Sequence, residues 1–198
     1  MKGRKLFVAG VTAVLLLGCG SVRAQQVAVK TNLLYWATTT PNLGVEVALG
    51  KKTTLDLVGS YNPWDLNDRK NTKFKHWIVQ PEVRFWNCEK FNRGFWGVHA
   101  VYGQFNVGGM NLPLGIFSDL KTQRHEGWMT GVGVSYGYQW YLGPHWNLEA
   151  TFGFGYLYQR YDVYESQPCG PFVQKKENHY FGPTRIGVSF VYLIKSKK

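Results

Sequence analysis

Residues Gly127 to Glu165 read GWMTGVGVSYGYQWYLGPHWNLEATFGFGYLYQRYDVYE, and their alternation decides the fold. Val132, Val134, Tyr136, Tyr138, Trp140 and Leu142 share one parity. Gly131, Gly133, Ser135, Gly137 and Gln139 share the other. After Gly143-Pro144-His145, Trp146, Leu148, Ala150, Phe152, Phe154, Tyr156 and Tyr158 alternate with Asn147, Glu149, Thr151, Gly153, Gly155 and Gln159. A period of two over this length predicts two long antiparallel strands joined by a tight turn. One face is bulky and aromatic, and the other is small or polar. A soluble sandwich buries its bulky face. A transmembrane barrel turns that face to lipid and fills its lumen with small and polar groups.

The rest of the chain supports the second arrangement. Eight strands are predicted, at Val27–Thr38, Leu43–Leu49, Thr53–Tyr61, His76–Trp86, Phe95–Asn106, Trp128–Leu142, Trp146–Tyr161 and Tyr180–Ile194. No segment beyond the N-terminal leader carries a 3.6-residue apolar stripe. Links after strands two, four and six are short. Links after strands three, five and seven are long, at Asn62–Lys75, Val107–Gly127 and Asp162–His179; the first, near Thr39–Asn42, is short. Short periplasmic turns and longer outer loops belong to outer-membrane barrels. The fold expected is therefore an all-β, eight-stranded antiparallel transmembrane barrel.

Parity also divides the other strands. Leu43, Val45, Val47 and Leu49 oppose Gly44, Glu46 and Ala48. Trp77, Val79, Val83 and Phe85 oppose Gln80, Glu82 and Arg84. Thr184, Ile186, Val188, Phe190, Tyr192 and Ile194 oppose Arg185, Gly187 and Ser189. Trp64, Trp86, Trp96, Trp128, Trp140 and Trp146 stand at strand ends, where an aromatic girdle belongs. On this assignment Phe154→Arg is costly, and Gly155→Ser, on the lumen side, costs less.

The first 24 residues read as a secretory signal peptide. Met1 to Lys5 is basic, Leu6 to Gly18 is apolar, and Val22 and Ala24 precede the cleavage point at Gln25. Leu16-Leu17-Gly18-Cys19 offers a lipobox as a rival. Cleavage after Ala24 is preferred, because a barrel needs no lipid anchor. The barrel domain is then 25–198. Four of the 23 basic residues and no acid lie in the leader, which leaves 19 bases against 12 acids, a net charge of +7. The bases are scattered, so nucleic acid is not an expected partner, whereas outer-membrane lipid and lipopolysaccharide are. Cys88 and Cys169 fall at opposite ends of the barrel and are expected unpaired.

Several strings together carry a resemblance. They include Lys30-Thr31-Asn32-Leu33-Leu34-Tyr35, Tyr61-Asn62-Pro63-Trp64, Lys75-His76-Trp77, Gln80-Pro81-Glu82, Tyr136-Gly137-Tyr138-Gln139-Trp140 and Tyr180-Phe181-Gly182-Pro183-Thr184. The chain resembles an uncharacterised family of small outer-membrane barrels from Gram-negative gut anaerobes, a domain of unknown function. The resemblance implies an outer-membrane location and genes often near those of fimbrial proteins. It implies no catalytic residue.

Candidate sites follow from the faces. Glu46, Asp56, Glu82, Arg84, His99, Glu149 and Arg185 are expected in the lumen. Charges inside a narrow barrel must be paired or hydrated, and eight strands leave a lumen that side chains fill. A salt-bridged plug is the preferred reading over an ion path. Met110, Leu112, Leu114, Ile116 and Phe117 form an apolar loop that either packs on itself or contacts a partner or lipid. Ser118 with His125 and Glu126, and Ser166 with His179 and Glu177, are the only hydrolase-like sets, and neither lies in a nucleophile motif. The five histidines have no metal-ligand spacing, and no cofactor is expected. The expected role is a non-enzymatic structural or surface-interaction protein, to which the resemblance adds a link to fimbrial assembly. A loop-based lipid or lipopolysaccharide hydrolase and a soluble lipocalin-like carrier are the alternatives.

Overall fold

Alternating β-branched and aromatic residues drive almost the whole chain into strands. The computed structural model describes residues 26–67, 72–109, 123–165 and 170–194. The barrel strands are β1 (Val27–Asn32), β2 (Asn42–Ala48), β3 (Thr53–Asn62), β4 (Thr72–Trp86), β5 (Arg93–Gly108), β6 (Gln123–Tyr141), β7 (Trp146–Glu165) and β8 (Phe172–Ile194). One helix, α1 (Leu33–Ala37), follows β1. A three-residue strand, Asp65–Asn67, pairs with the start of β4. Each barrel strand pairs antiparallel with its sequence neighbours, and β8 pairs with β1. The ring is closed, and the fold is an all-β, eight-stranded antiparallel barrel.

The outer surface is apolar. Leu43, Leu57, Phe85, Trp96, Val98, Val132, Val134, Phe152, Phe154, Ile186 and Phe190 are all exposed, and Phe181 reaches 73%. The interior is layered. At the short-turn end Ala28, Ala48, Trp86, Phe91, Phe95 and Val191 form an apolar cluster. The middle is charged. Toward the long-loop end Phe105, Val107, Tyr161 and Val163 form a second apolar cluster, joined by Phe74 and Met129. Phe91 enters the mouth from the β4–β5 turn, where it and Arg93 hold φ values of 62° and 65°. Non-glycine residues in that region cost on the order of 1 kcal/mol or more each. The burial of the Phe91 ring beside Trp86 offsets this.

Several expectations are corrected. The first strand stops at Asn32 rather than Thr38, because the chain turns into α1. The Asn32 side chain makes the stop. Its Oδ1 accepts from Leu34 N, capping the helix, and from Val188 N, while its Nδ2 donates to Ile186 O on β8. The expected loop Asp162–His179 is mostly strand, since β7 runs to Glu165 and β8 begins at Phe172. Trp86 leaves the girdle: it is buried, and its Nε1 donates to Thr54 Oγ1 at 2.9 Å. It shares the lumen parity of Glu82 and Arg84. Thr184 is turned inward by a bulge, where Gly153 pairs with Arg185 and Phe154 with Pro183.

The glycines on the lumen parity are spaces for neighbours. A Cβ at Gly155 would meet the Val132 carbonyl oxygen and Gly133 Cα, and one at Gly137 would meet the Phe95 ring. A side chain at Gly155 therefore carries a cost of its own. In a bilayer, Phe154→Arg should cost about 2–4 kcal/mol near the midplane. Gly155→Ala should cost about 1–3 kcal/mol through overpacking. Urea titration of the folded gel band measures both, and a Gly155→Ala variant as stable as the wild type would contradict the packing described.

Candidate functional site

The middle layer of the lumen is built by alternation. On every strand the residue at this height points inward, and every strand contributes. Lys30 comes from β1, Glu46 from β2, Asp56 from β3, Glu82 and Arg84 from β4, and His99 from β5. Ser135 and Gln139 come from β6, Glu149 from β7 and Arg185 from β8. None of these side chains is more than 8% exposed.

Arg84 is the hub. Its Nε donates to Glu82 Oε2 at 2.6 Å, and its Nη1 to Glu46 Oε2 and Glu149 Oε2, each at 2.9 Å. Its Nη2 lies 3.0 Å from Asp56 Oδ2 and 3.1 Å from Glu149 Oε1. One guanidinium thus touches all four carboxylates, which its planar fork of donors permits. Its Cζ also sits 4.2 Å from the Phe95 ring centroid, where the charged layer meets the apolar one.

Two further cations complete the network. Lys30 Nζ lies 2.5 Å from Glu46 Oε2, 3.3 Å from Glu149 Oε2 and 3.4 Å from Asp56 Oδ1. Arg185 Nη2 lies 2.6 Å from Asp56 Oδ2 and 3.5 Å from Glu82 Oε2. Neutral donors reach three of the four carboxylates. Thr54 Oγ1 donates to Glu46, Ser135 Oγ to Glu82, and Gln139 Nε2 and Thr151 Oγ1 to Glu149. His99 sits at the edge of the layer with Nε2 2.8 Å from Thr184 Oγ1, and the Thr184 carbonyl accepts from Gln80 Nε2 at 3.2 Å.

All seven residues expected in the lumen are brought together there. Lys30 joins them without having been expected. Its signal was present in the alternation of Val27, Val29 and Thr31 against Ala28, Lys30 and Asn32, but the strand is only six residues long. The free space beside the network, bordered by Lys30, Tyr35, Gln80 and Arg185, is about 20 Å³. That is about one water.

The other candidates are dispersed. Met110, Leu112, Leu114, Ile116, Phe117, Ser118, Ser166 and Cys169 lie outside the described residues. His125 is buried and stacks on Tyr161 with centroids 4.6 Å apart. His179 Nδ1 is engaged by the Tyr156 hydroxyl. Glu126 accepts from Asn106 at 3.1 Å, and Glu177 lies 3.7 Å from Arg160. Cys88 is a free, exposed thiol in the β4–β5 turn. Among the described residues no group of three or more His, Cys, Asp or Glu side chains could hold a metal ion.

Comparison with known proteins gives one match, to the model of the protein family of unknown function DUF3575 over residues 10–194. The chain belongs to this family. No curated protein and no solved structure matches it. Membership assigns no activity, so the chemistry of DUF3575 in this chain rests on the barrel itself.

Arg84→Met removes the hub and leaves four buried carboxylates to two cations. Breaking a buried pair typically costs about 3–5 kcal/mol, so this variant should lose at least that much or fail to fold. Lys30→Met should cost less, because Arg84 still reaches both Glu46 and Glu149. Unfolding midpoints of the heat-modifiable gel band test the ranking. A Lys30 variant less stable than the Arg84 variant would refute the hub.

Proposed function

We propose that this DUF3575 chain is an outer-membrane barrel of a Gram-negative bacterium, exported through a cleaved signal peptide, with a non-enzymatic structural or surface-interaction role. One observation carries the reading: the barrel has its charges inside and its large apolar side chains outside. Water would reverse that arrangement. A bilayer favours it, because the paired strands of the ring satisfy one another's backbone groups and the apolar face meets lipid. The exposed aromatics at both ends, Trp96, Trp140 and Trp146 at one and Tyr61 and Trp64 at the other, suit the two membrane interfaces.

The lumen network acts as a plug in this reading. A space the size of one water supports neither solute passage nor a carrier's ligand. A hydrolase is disfavoured because His125 is buried against Tyr161 and His179 is engaged by Tyr156. The interaction surface is then the long-loop end, with outer-leaflet lipid and lipopolysaccharide as its surroundings and fimbrial or other envelope proteins as its partners. The fimbrial part is supported by the family resemblance alone. Deleting the gene should lower the number of assembled fimbriae seen by electron microscopy, and unchanged fimbriation would remove that part.

Topology is tested with single cysteines in a Cys88→Ser, Cys169→Ser background. Pro63→Cys and Gln174→Cys should react with an impermeant maleimide on whole cells. Lys51→Cys and His145→Cys should react only after the outer membrane is permeabilised. Labelling of Lys51→Cys on intact cells would invert the topology. Recovery of folded protein in the soluble fraction without detergent would end the membrane reading. Purified wild type in planar bilayers should show no steady conductance.

A further inference from the structure

Above the apolar belt, the outward face carries a second pattern. Strand pairing sets Tyr61 opposite Trp77, Trp77 opposite Gln104, and Gln104 opposite Trp128. These four residues make one row across β3, β4, β5 and β6. Two positions further toward the long-loop end, on the same parity, Lys75 stands opposite Asn106, and Asn106 opposite Glu126. The two rows line a groove of about 480 Å³. Trp77 and Trp128 stand two strands apart, about 9.6 Å. Gln104 and Asn106 occupy the strand between them.

The polar groups are arranged and only partly used. Trp77 Nε1 donates to Gln104 Oε1 at 3.2 Å, which orients the amide and leaves its NH₂ group outward. Asn106 Nδ2 donates to Glu126 Oε2 at 3.1 Å. Asn106 Oδ1 is shielded from solvent and has no hydrogen-bond partner. Gln104 and Glu126 are exposed, so the Gln104 amide N–H groups and the Glu126 carboxylate are within reach of a ligand.

This chemistry selects among ligand classes. Lipid contact alone explains the tryptophans and the tyrosine, as an interfacial belt. It does not require an oriented amide between two indoles, or an Asn–Glu pair above them. An anion is disfavoured because the Glu126 carboxylate is exposed in the groove, while Lys75, the cation on the same row, is already engaged. A flat apolar molecule would leave Gln104, Asn106 and Glu126 without partners. A sugar ring has an apolar face for the indoles and hydroxyls on its edge for amide and carboxylate groups. We propose that the groove across β3–β6 binds a saccharide. Its position directly above the apolar belt is where the glycan of an outer-leaflet lipid lies, and a dissolved oligosaccharide would present the same chemistry. Only the source of the sugar rests on the outer-membrane reading.

The test uses full-length protein in detergent micelles. The probes are core oligosaccharide released from lipopolysaccharide by mild acid, intact lipopolysaccharide in phospholipid vesicles, and a dextran-derived oligosaccharide. Saturation-transfer NMR and tryptophan fluorescence report binding. The released core should bind, and Trp128→Ala and Asn106→Ala should each weaken it at least about tenfold, about 1.4 kcal/mol. Trp140→Ala, at the opposite end of the barrel, should leave binding unchanged. Tighter binding of intact lipopolysaccharide than of dextran fragments assigns the site to the membrane glycan, and the reverse assigns it to dissolved sugars. Should Trp128→Ala lose its folded gel band, Trp128→Phe and Gln104→Leu replace it, with the same tenfold expectation. Binding of intact lipopolysaccharide but of neither free oligosaccharide, equal losses for Trp128→Ala and Trp140→Ala, or no binding at all overturns the proposal. None of these results touches the cysteine-labelling test of topology, so the two readings fail separately.

Discussion

The contact of Arg84 with four carboxylates is the constraint on which the barrel depends. Those carboxylates come from β2, β3, β4 and β7, and the cations that help to neutralise them come from β1, β4 and β8. The network can form only when the ring is closed and each strand is in register. A slip of one residue in β2 would send Glu46 outward and Val45 or Val47 inward. Both errors are expensive, one because a charge joins the apolar outer face and the other because charges inside lose a partner. Register is therefore fixed at both faces, more tightly than an apolar core alone would fix it.

Most of this was legible in the sequence where a strand has an apolar outer face and a polar lumen face. Phe152, Phe154 and Tyr156 against Gly153 and Gly155 leave no doubt about faces. Legibility ends where that contrast ends. Along β8 the run Gln174-Lys175-Lys176-Glu177-Asn178-His179 is polar on both parities, so the alternation disappears there while the pairing with β7 continues. Five residues of α1 are too few to show a 3.6-residue period. Trp86 was misplaced because the lumen is apolar at the short-turn mouth, where the rule of polar residues inside does not hold. Thr184 was misplaced because a bulge shifts parity by one residue and leaves no mark in composition.

The wall of the barrel is uneven, and its uneven part is managed residue by residue. β1 has six residues and β8 has 23, so most of β8 toward the long-loop end has no β1 beside it. An open edge is a template for unwanted pairing. Asn32 closes the last step by offering side-chain atoms where the next residue of β1 would have offered backbone. A Cβ at Gly187 would lie 2.8 Å from Asn32 Nδ2, so the small residue there makes the cap possible. Further along, Pro183 has no N–H to present, the bulge at Thr184 twists the edge, and Lys175 and Lys176 place charge beside it. Exposed leucines and Trp36 on α1 cover the gap beside Asn32 with an apolar surface.

These features divide the labour within the chain. The lumen is tightly paired: its acids and bases meet around Arg84, and the free space beside them is about 20 Å³, although Arg185 Nη1 and His99 Nδ1 are buried without a hydrogen-bond partner. Such a centre holds the strands of the ring in one register. The outward surface near the long-loop end is different. There Gln104, Asn106 and Glu126 are oriented by single hydrogen bonds and retain unused donors and acceptors. Recognition needs groups that are held in place, still able to bond and within reach of a ligand, and the exposed Gln104 and Glu126 beside Trp77 and Trp128 meet that condition.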